Sequence, residues 1–214
     1  MKKIIFLLAA FIFFSCQTSK ITNSWTAENV HAKKYKNVLV LAVMKEDDRE
    51  LLVNMENHLA GDLKDLGYKA DASNKIFPPG TFVKGDTARA VAAINSKNFD
   101  AVLTIVLLNK VKEKYYVPGR VAYTPSAPFH DHYDRYYFTM QDRIYSEGYY
   151  AVDTKIFWET NFYDIAARQM VYSAQTRSFD PGSKVSLAHY FGVLISDHLV
   201  KRNILVKPDN PNGF

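Results

Sequence analysis

Between positions 130 and 134 the chain reads His130-Asp131-His132-Tyr133-Asp134, two imidazoles and two carboxylates within five residues. These side chains hold transition metals through nitrogen and oxygen. In an extended segment alternate residues share a side, which would make His130, His132 and Asp134 one ligand face. No third histidine stands near in sequence, and no His-Glu-x-x-His occurs. The plainer reading is an aromatic, polar surface loop that happens to hold two histidines. Around them lie Tyr123, Phe129, Tyr133, Tyr136, Tyr137 and Phe138, interleaved with Pro118, Pro125 and Pro128. Tyrosine and phenylalanine supply the large amphipathic contact area favoured at protein interfaces. Contact with another protein, or with a second copy of the chain, is therefore the leading use of residues 117–148. A loop this long inside a compact domain is functional or disordered in most cases; the alternative is a lid that completes the core.

Other sets of reactive residues give less. Ser183 and Ser186 have His189 close by, yet no Gly-x-Ser-x-Gly elbow surrounds them. Asp47, Asp48 and Glu50 are adjacent carboxylates that helix capping explains. His189 and His198 read as histidines at the edge of the core. No glycine lies between the first strand of the domain and its helix, where a dinucleotide fold needs several. With no nucleophile–base pair and no phosphate loop, the expectation is a non-enzymatic protein without a cofactor. Metal binding and an unrecognised enzyme are the alternatives.

The remaining reactive group is the thiol of Cys16, the only cysteine in 214 residues. Lys2 and Lys3 precede an unbroken apolar run from Ile4 to Phe14, which ends on Ser15 and Cys16. A positive start, a short apolar stretch and a small residue at the cut describe a signal peptide over residues 1–15. Such a run is too short to span a bilayer, which takes ~20 residues. A lone cysteine at the cut resembles the lipobox of bacterial lipoproteins, with Phe13 and Phe14 departing from its usual residues. That resemblance implies diacylation of Cys16 and a membrane as first partner. Gln17 in place of aspartate favours the outer membrane, and the lack of an acidic run at 17–20 favours its periplasmic face. Removing residues 1–15 takes away two of the 27 Lys and Arg and none of the 22 Asp and Glu, leaving +3. So balanced and scattered a charge does not point to nucleic acid, and none is expected as a partner.

These groups need elements to carry them. Residues 16–34 read as a polar tether, with Trp25 as a buried plug onto the domain. A single domain over 35–206 opens with Val38–Val43, an apolar run typical of a strand buried on both faces. Leu52, Met55, Leu59, Leu63 and Leu66 recur at helical spacing, and Gly67 stops that helix. A weak strand over 68–72 follows, then a helix from Asp86 with Ala88, Val91, Ala92 and Phe99 or Ile94 on its apolar side. Residues 100–108 form a buried strand. After the loop, strict alternation over 149–163 and 170–176 marks an antiparallel hairpin. A helix carrying Leu187, Phe191, Leu194, Ile195 and Leu199 comes last, and residues 207–214 form a flexible tail. The fold class is α/β (α+β), a mixed sheet in the order β-α-β-α-β-(long loop)-β-β-α with three helices.

Ser24-Trp25, the strand–helix pair at 37–66, Asp100-Ala101-Val102-Leu103, Val117-Pro118-Gly119 and Glu159–Asp164 together resemble a bacterial envelope lipoprotein family built on an uncharacterised α/β domain. The architecture is also similar to the amino-terminal domain of TolB, the curli secretion lipoprotein CsgG, and a lipoprotein activator of peptidoglycan synthases. The resemblance implies a fold and an envelope location. It supplies no catalytic residues.

Overall fold

The computed structural model describes residues 19–28, 30–44, 48–82, 86–119, 147–179 and 181–206. Its elements are β1 (Ser19–Thr26), β2 (Val38–Val43), α1 (Arg49–Asp65), β3 (Ala70–Ala72), α2 (Ser73–Ile76), α3 (Thr87–Asn95), β4 (Ala101–Val117), β5 (Tyr149–Asp164), β6 (Gln169–Phe179) and α4 (Lys184–Lys201). The six strands form one mixed sheet ordered β1-β6-β5-β4-β2-β3. β2 pairs in parallel with β3 and β4, while β6 pairs antiparallel with β1 and β5. The expected α/β class and mixed sheet are present. The fourth helix is α2, a single turn within the segment read as a loop.

The apolar run of β2 is explained by its two covered faces. Val38, Val40 and Ala42 join the main core with Leu51, Met55, Leu59 and Leu63 of α1. Leu39 and Leu41 face the other way, onto Phe77, Phe99 and Val102. The main core continues across β5 and β6 through Ile156, Trp158, Phe162, Tyr172 and Ala174, under Leu187, Phe191, Ile195 and Leu199 of α4. Alternation along β5 and β6 therefore carries the meaning expected of it. α1 ends as Gly67 suggested: at φ +83° its N–H donates to Lys64 O, and Tyr68 N–H donates to Leu63 O. That pair of bonds is the Schellman closure, and the left-handed φ is why glycine stands there.

Several sequence expectations change. Residues 19–26 are a strand inside the presumed tether; the polar sequence hid it because β1 is an edge with only one neighbour. A bulge between Ile21 and Asn23 leaves Thr22 and Asn23 both outward and returns Ser24 and Thr26 to the inner side. Trp25 then points out and is 49% exposed, so it is no buried plug. On α3 Ile94 packs as expected, as does Phe99 just beyond the helix, but Ala93 joins them while Val91 is exposed. β4 runs to Val117 rather than ending near 108. Leu194 is half-buried beside the fully buried Ile195. The outer parts of β4, from Val111, and of β5, up to Thr154, belong to a second unit. Residues 207–214 lie outside the described residues.

Leu59 and Leu194 separate core from rim. Leu59→Asp places an unpaired carboxylate at a fully buried site and should cost about 4 kcal/mol or more, while Leu194→Asp should cost about 1 kcal/mol. Urea unfolding of the two variants measures the difference.

Candidate functional site

At the C-terminal end of β2 the structure holds a cavity of about 430 Å³, a size typical of small-molecule sites. Its floor is Leu41–Met44, one wall is Arg49, Leu52, Val53 and Glu56 of α1, and the other is Ser73, Asn74 and residues 77–82. The position follows from connectivity. From β2 the chain crosses to β3 on one side, and from β3 it crosses back to β4 on the other. Crevices in open α/β sheets form where successive connections diverge like this.

The central group is Glu56, fully buried. Its Oε1 accepts from Ala42 N–H at 2.8 Å and from the Ser73 hydroxyl at 2.6 Å. Its Oε2 accepts from Asn74 N–H at 2.8 Å and Asn74 Nδ2 at 2.7 Å. A carboxylate offers about four acceptor positions, and here each has its donor. Glu56 is thus committed to holding β2, α1 and α2 together and is not a free base facing the cavity. What remains for a ligand is apolar wall from Leu52, Val53, Phe77 and Phe82, with the exposed Arg49 guanidinium at the rim. Sequence reasoning passed over Glu56. The signal was there: it falls between Met55 and Leu59, inside the apolar stripe of α1, where a carboxylate must find buried donors.

A second cluster lies where α1 and α4 meet. Lys184 Nζ contacts Glu50 Oε2 at 2.8 Å and Asp48 Oδ1 at 3.7 Å near the helix starts. Farther along, Asp62 Oδ2 packs against Gly192 and a Cβ there would overlap it; the two helices therefore run parallel. Asp62 Oδ2 is buried without a hydrogen-bond partner. Burial pushes its pKa up to about 6, aided by Asp65 and Asp197 and opposed by His189. The His58 and His189 rings meet edge-on at 5.9 Å, and burial, then the charge of His189, lowers the His58 pKa. Among the described residues no three metal-binding side chains come together.

The residues singled out in the sequence fare unevenly. Asp48 occupies the N-cap position of α1 without a capping hydrogen bond, and its carboxylate instead meets Lys110 and Lys184, each at 3.7 Å. Asp86 does cap α3, accepting from Arg89 N–H at 3.0 Å. Ser183 and Ser186 form the capping box of α4, which is a structural duty for both hydroxyls. His198 Nδ1 lies 2.7 Å from the Tyr172 hydroxyl at the core edge. Cys16, Asp47, Tyr123, Phe129, His130, His132, Tyr133, Asp134, Tyr136, Tyr137 and Phe138 lie outside the described residues. The two ends of that aromatic segment are described. Tyr115 and Tyr116 near the end of β4 are 46% and 53% exposed, and Tyr149 and Tyr150 at the start of β5 are 63% and 64% exposed. The Tyr116 and Tyr150 rings meet tilted at 60° with centres 5.3 Å apart, and Lys114 Nζ sits 4.4 Å from the Tyr150 ring centre.

No family model matches the chain, and no curated protein matches it in sequence. Weak structural similarity links it to a PelC dodecamer from Paraburkholderia phytofirmans, with TM-score 0.44 and 12% identity over 87% of this chain and 98% of that one. The lipoprotein GNA1162 from Neisseria meningitidis gives TM-score 0.43 and 13% identity over 78% of this chain and 99% of that one.

Two variants test the assignments of this site. Glu56→Ala leaves four donors without their acceptor and should cost about 3 kcal/mol or more in urea unfolding. Glu56→Gln should recover less than half of that loss, because an amide turns a donor toward two of the four N–H and O–H groups. For Asp62 the sign is opposite. A carboxyl whose folded pKa is about 6 stabilises the fold below the unfolded value near 4, and that stability is lost as pH rises through 6. Asp62→Asn should therefore exceed the wild type by about 1 kcal/mol at pH 7.5, a figure discounted for partial exposure, and match it at pH 4.

Proposed function

We propose that the chain is a lipid-anchored protein of the bacterial envelope, a non-enzymatic module that binds another envelope protein or a second copy of itself. The anchor is Cys16, acylated after removal of residues 1–15, and the location is the periplasmic face of the outer membrane. On this reading the chain belongs with the envelope lipoproteins that its motifs resemble.

The observation that carries the binding role is the set of tyrosines in the unit over residues 111–154. Four tyrosines in two adjacent pairs, Tyr115-Tyr116 and Tyr149-Tyr150, keep about half or more of their surface in water. Tyrosine is costly to leave exposed in such density and is enriched where proteins meet. These pairs flank residues 120–146, where most of the remaining aromatics of this region lie. In the rest of the chain, the buried carboxylate of the cavity is saturated with donors, and the two serines near His189 are occupied with helix capping. Both observations favour a binding role over catalysis.

Crosslinking in intact cells, followed by mass spectrometry, tests the proposal. The wild type should give a defined set of crosslinked partners and incorporate labelled palmitate, whereas Cys16→Ala should lose the label and enter the soluble periplasmic fraction. The Tyr149→Ser/Tyr150→Ser double variant should keep its urea midpoint and lose at least tenfold in crosslinked product. Undiminished crosslinking in that variant would overturn the binding role, and an unlabelled wild type would overturn the anchor.

A further inference from the structure

The chain enters the sheet almost immediately after Cys16. Only residues 17 and 18 separate Cys16 from Ser19, where β1 begins. Consecutive Cα atoms are ~3.8 Å apart, so Ser19 lies within about 11 Å of Cys16 by any path. The headgroup layer of a bilayer is itself roughly 5–8 Å deep on each side. An acylated Cys16 therefore leaves no leash on which the sheet could stand clear of the membrane. The start of β1, and whatever flanks it, is held at the headgroups.

What flanks it is basic and aromatic. Ser19 pairs with Ser178 and Lys20 with Arg177, so Phe179 stands just beyond the first rung. Arg177 and Phe179 lie on the face of β6 opposite its buried residues Thr176 and Ser178. The Lys20 ammonium is 5.5 Å from the centre of the Phe179 ring, and the Arg177 guanidinium is 4.6 Å from it. Among the described residues neither cation meets a carboxylate. Arg177 Nε is buried with no hydrogen-bond partner. Two positive groups gathered on one ring repel each other until something negative approaches. Their charge and their distance from Cys16 specify the same occupant.

We propose that this corner of the sheet docks on the anionic phospholipid surface of the membrane that holds the anchor. Lys20 and Arg177 contact phosphate groups, and Phe179 lies at the depth of the headgroups. The proposal rests on the acylated-Cys16 reading, and the two are tested separately.

The test uses the full chain from residue 16 with Cys16→Ser, sedimented with vesicles of phosphatidylglycerol and phosphatidylethanolamine or of phosphatidylcholine alone. Binding should appear on the anionic vesicles only and weaken as salt rises. Each basic residue at an anionic surface changes partitioning roughly fivefold, so Lys20→Ala/Arg177→Ala should bind about 25-fold more weakly. Lys64→Ala/Lys201→Ala, at the last turns of α1 and α4, serves as the equal-charge control and should bind as before. Absence of binding, equal binding to phosphatidylcholine, or an equal loss in the control pair would each overturn the proposal. So would a Lys20→Ala/Arg177→Ala chain that binds vesicles normally but loses a crosslinked protein, since the corner would then dock protein. Because the probe carries no lipid, these results are independent of palmitate labelling in the wild type, which decides the anchor alone.

Discussion

A buried carboxylate bound by four hydrogen-bond donors ties together the parallel half of this sheet. Glu56 joins the end of β2, the middle of α1 and the first turn of α2 through four hydrogen bonds, two to backbone N–H groups and two to side chains. Burying a charge is expensive unless its hydrogen-bonding capacity is met, and here it is met by groups whose positions follow from the crossover itself. Ser73 and Asn74 can reach Glu56 only if the chain turns at once from β3 into α2. The turn in turn aims Phe77 and Phe82 at the second small core beneath the sheet. Cavity, short helix and second core thus depend on one side chain.

The antiparallel half is organised differently. There, cohesion comes from area: Trp158, Phe162, Tyr172 and Phe191 are fully buried, and the Trp158 and Phe191 rings pack at 5.7 Å. Polar groups serve its rim. Asp164 accepts from Lys33 Nζ at 2.8 Å and from the Tyr35 hydroxyl, pinning the segment that leads into β2 to the end of β5. Burial would raise the Asp164 pKa, but the Lys33 bond and the Ala167 N–H hold it below the usual carboxylate range. Burial, followed by the nearby Asp164 charge, raises that of Tyr35.

Much of this was legible in the sequence wherever burial imposes a period. The two-sided strand at 38–43, the leucine stripe of α1, its glycine stop and the alternation of β5 and β6 each report a local constraint that one residue type satisfies. What escaped were features defined by partners distant in the chain. β1 is polar because an edge strand needs backbone pairing more than side-chain burial, so its residues look like a tether. α2 is a single turn whose Ser73 hydroxyl and Asn74 N–H are met by Glu56, seventeen positions away from Ser73. Glu56 itself was visible as a charge in an apolar stripe, but its meaning needed Ser73 and Asn74 in place. The aromatic segment could be read for composition alone, since its prolines and tyrosines follow no sustained period.

The pairing of β1 with β6 also sets the order of events as the protein folds. Ser19 and Ser178 share a hydrogen bond across 159 positions, so the first strand of the sheet in chain order is among the last to find its neighbour. Contacts of such separation come late in folding because the chain entropy of closing the loop precedes any return. Until β1 docks, the sheet offers the free side of β6 to any extended segment nearby. The finished protein closes that interval by using its own amino-terminal residues as the covering strand.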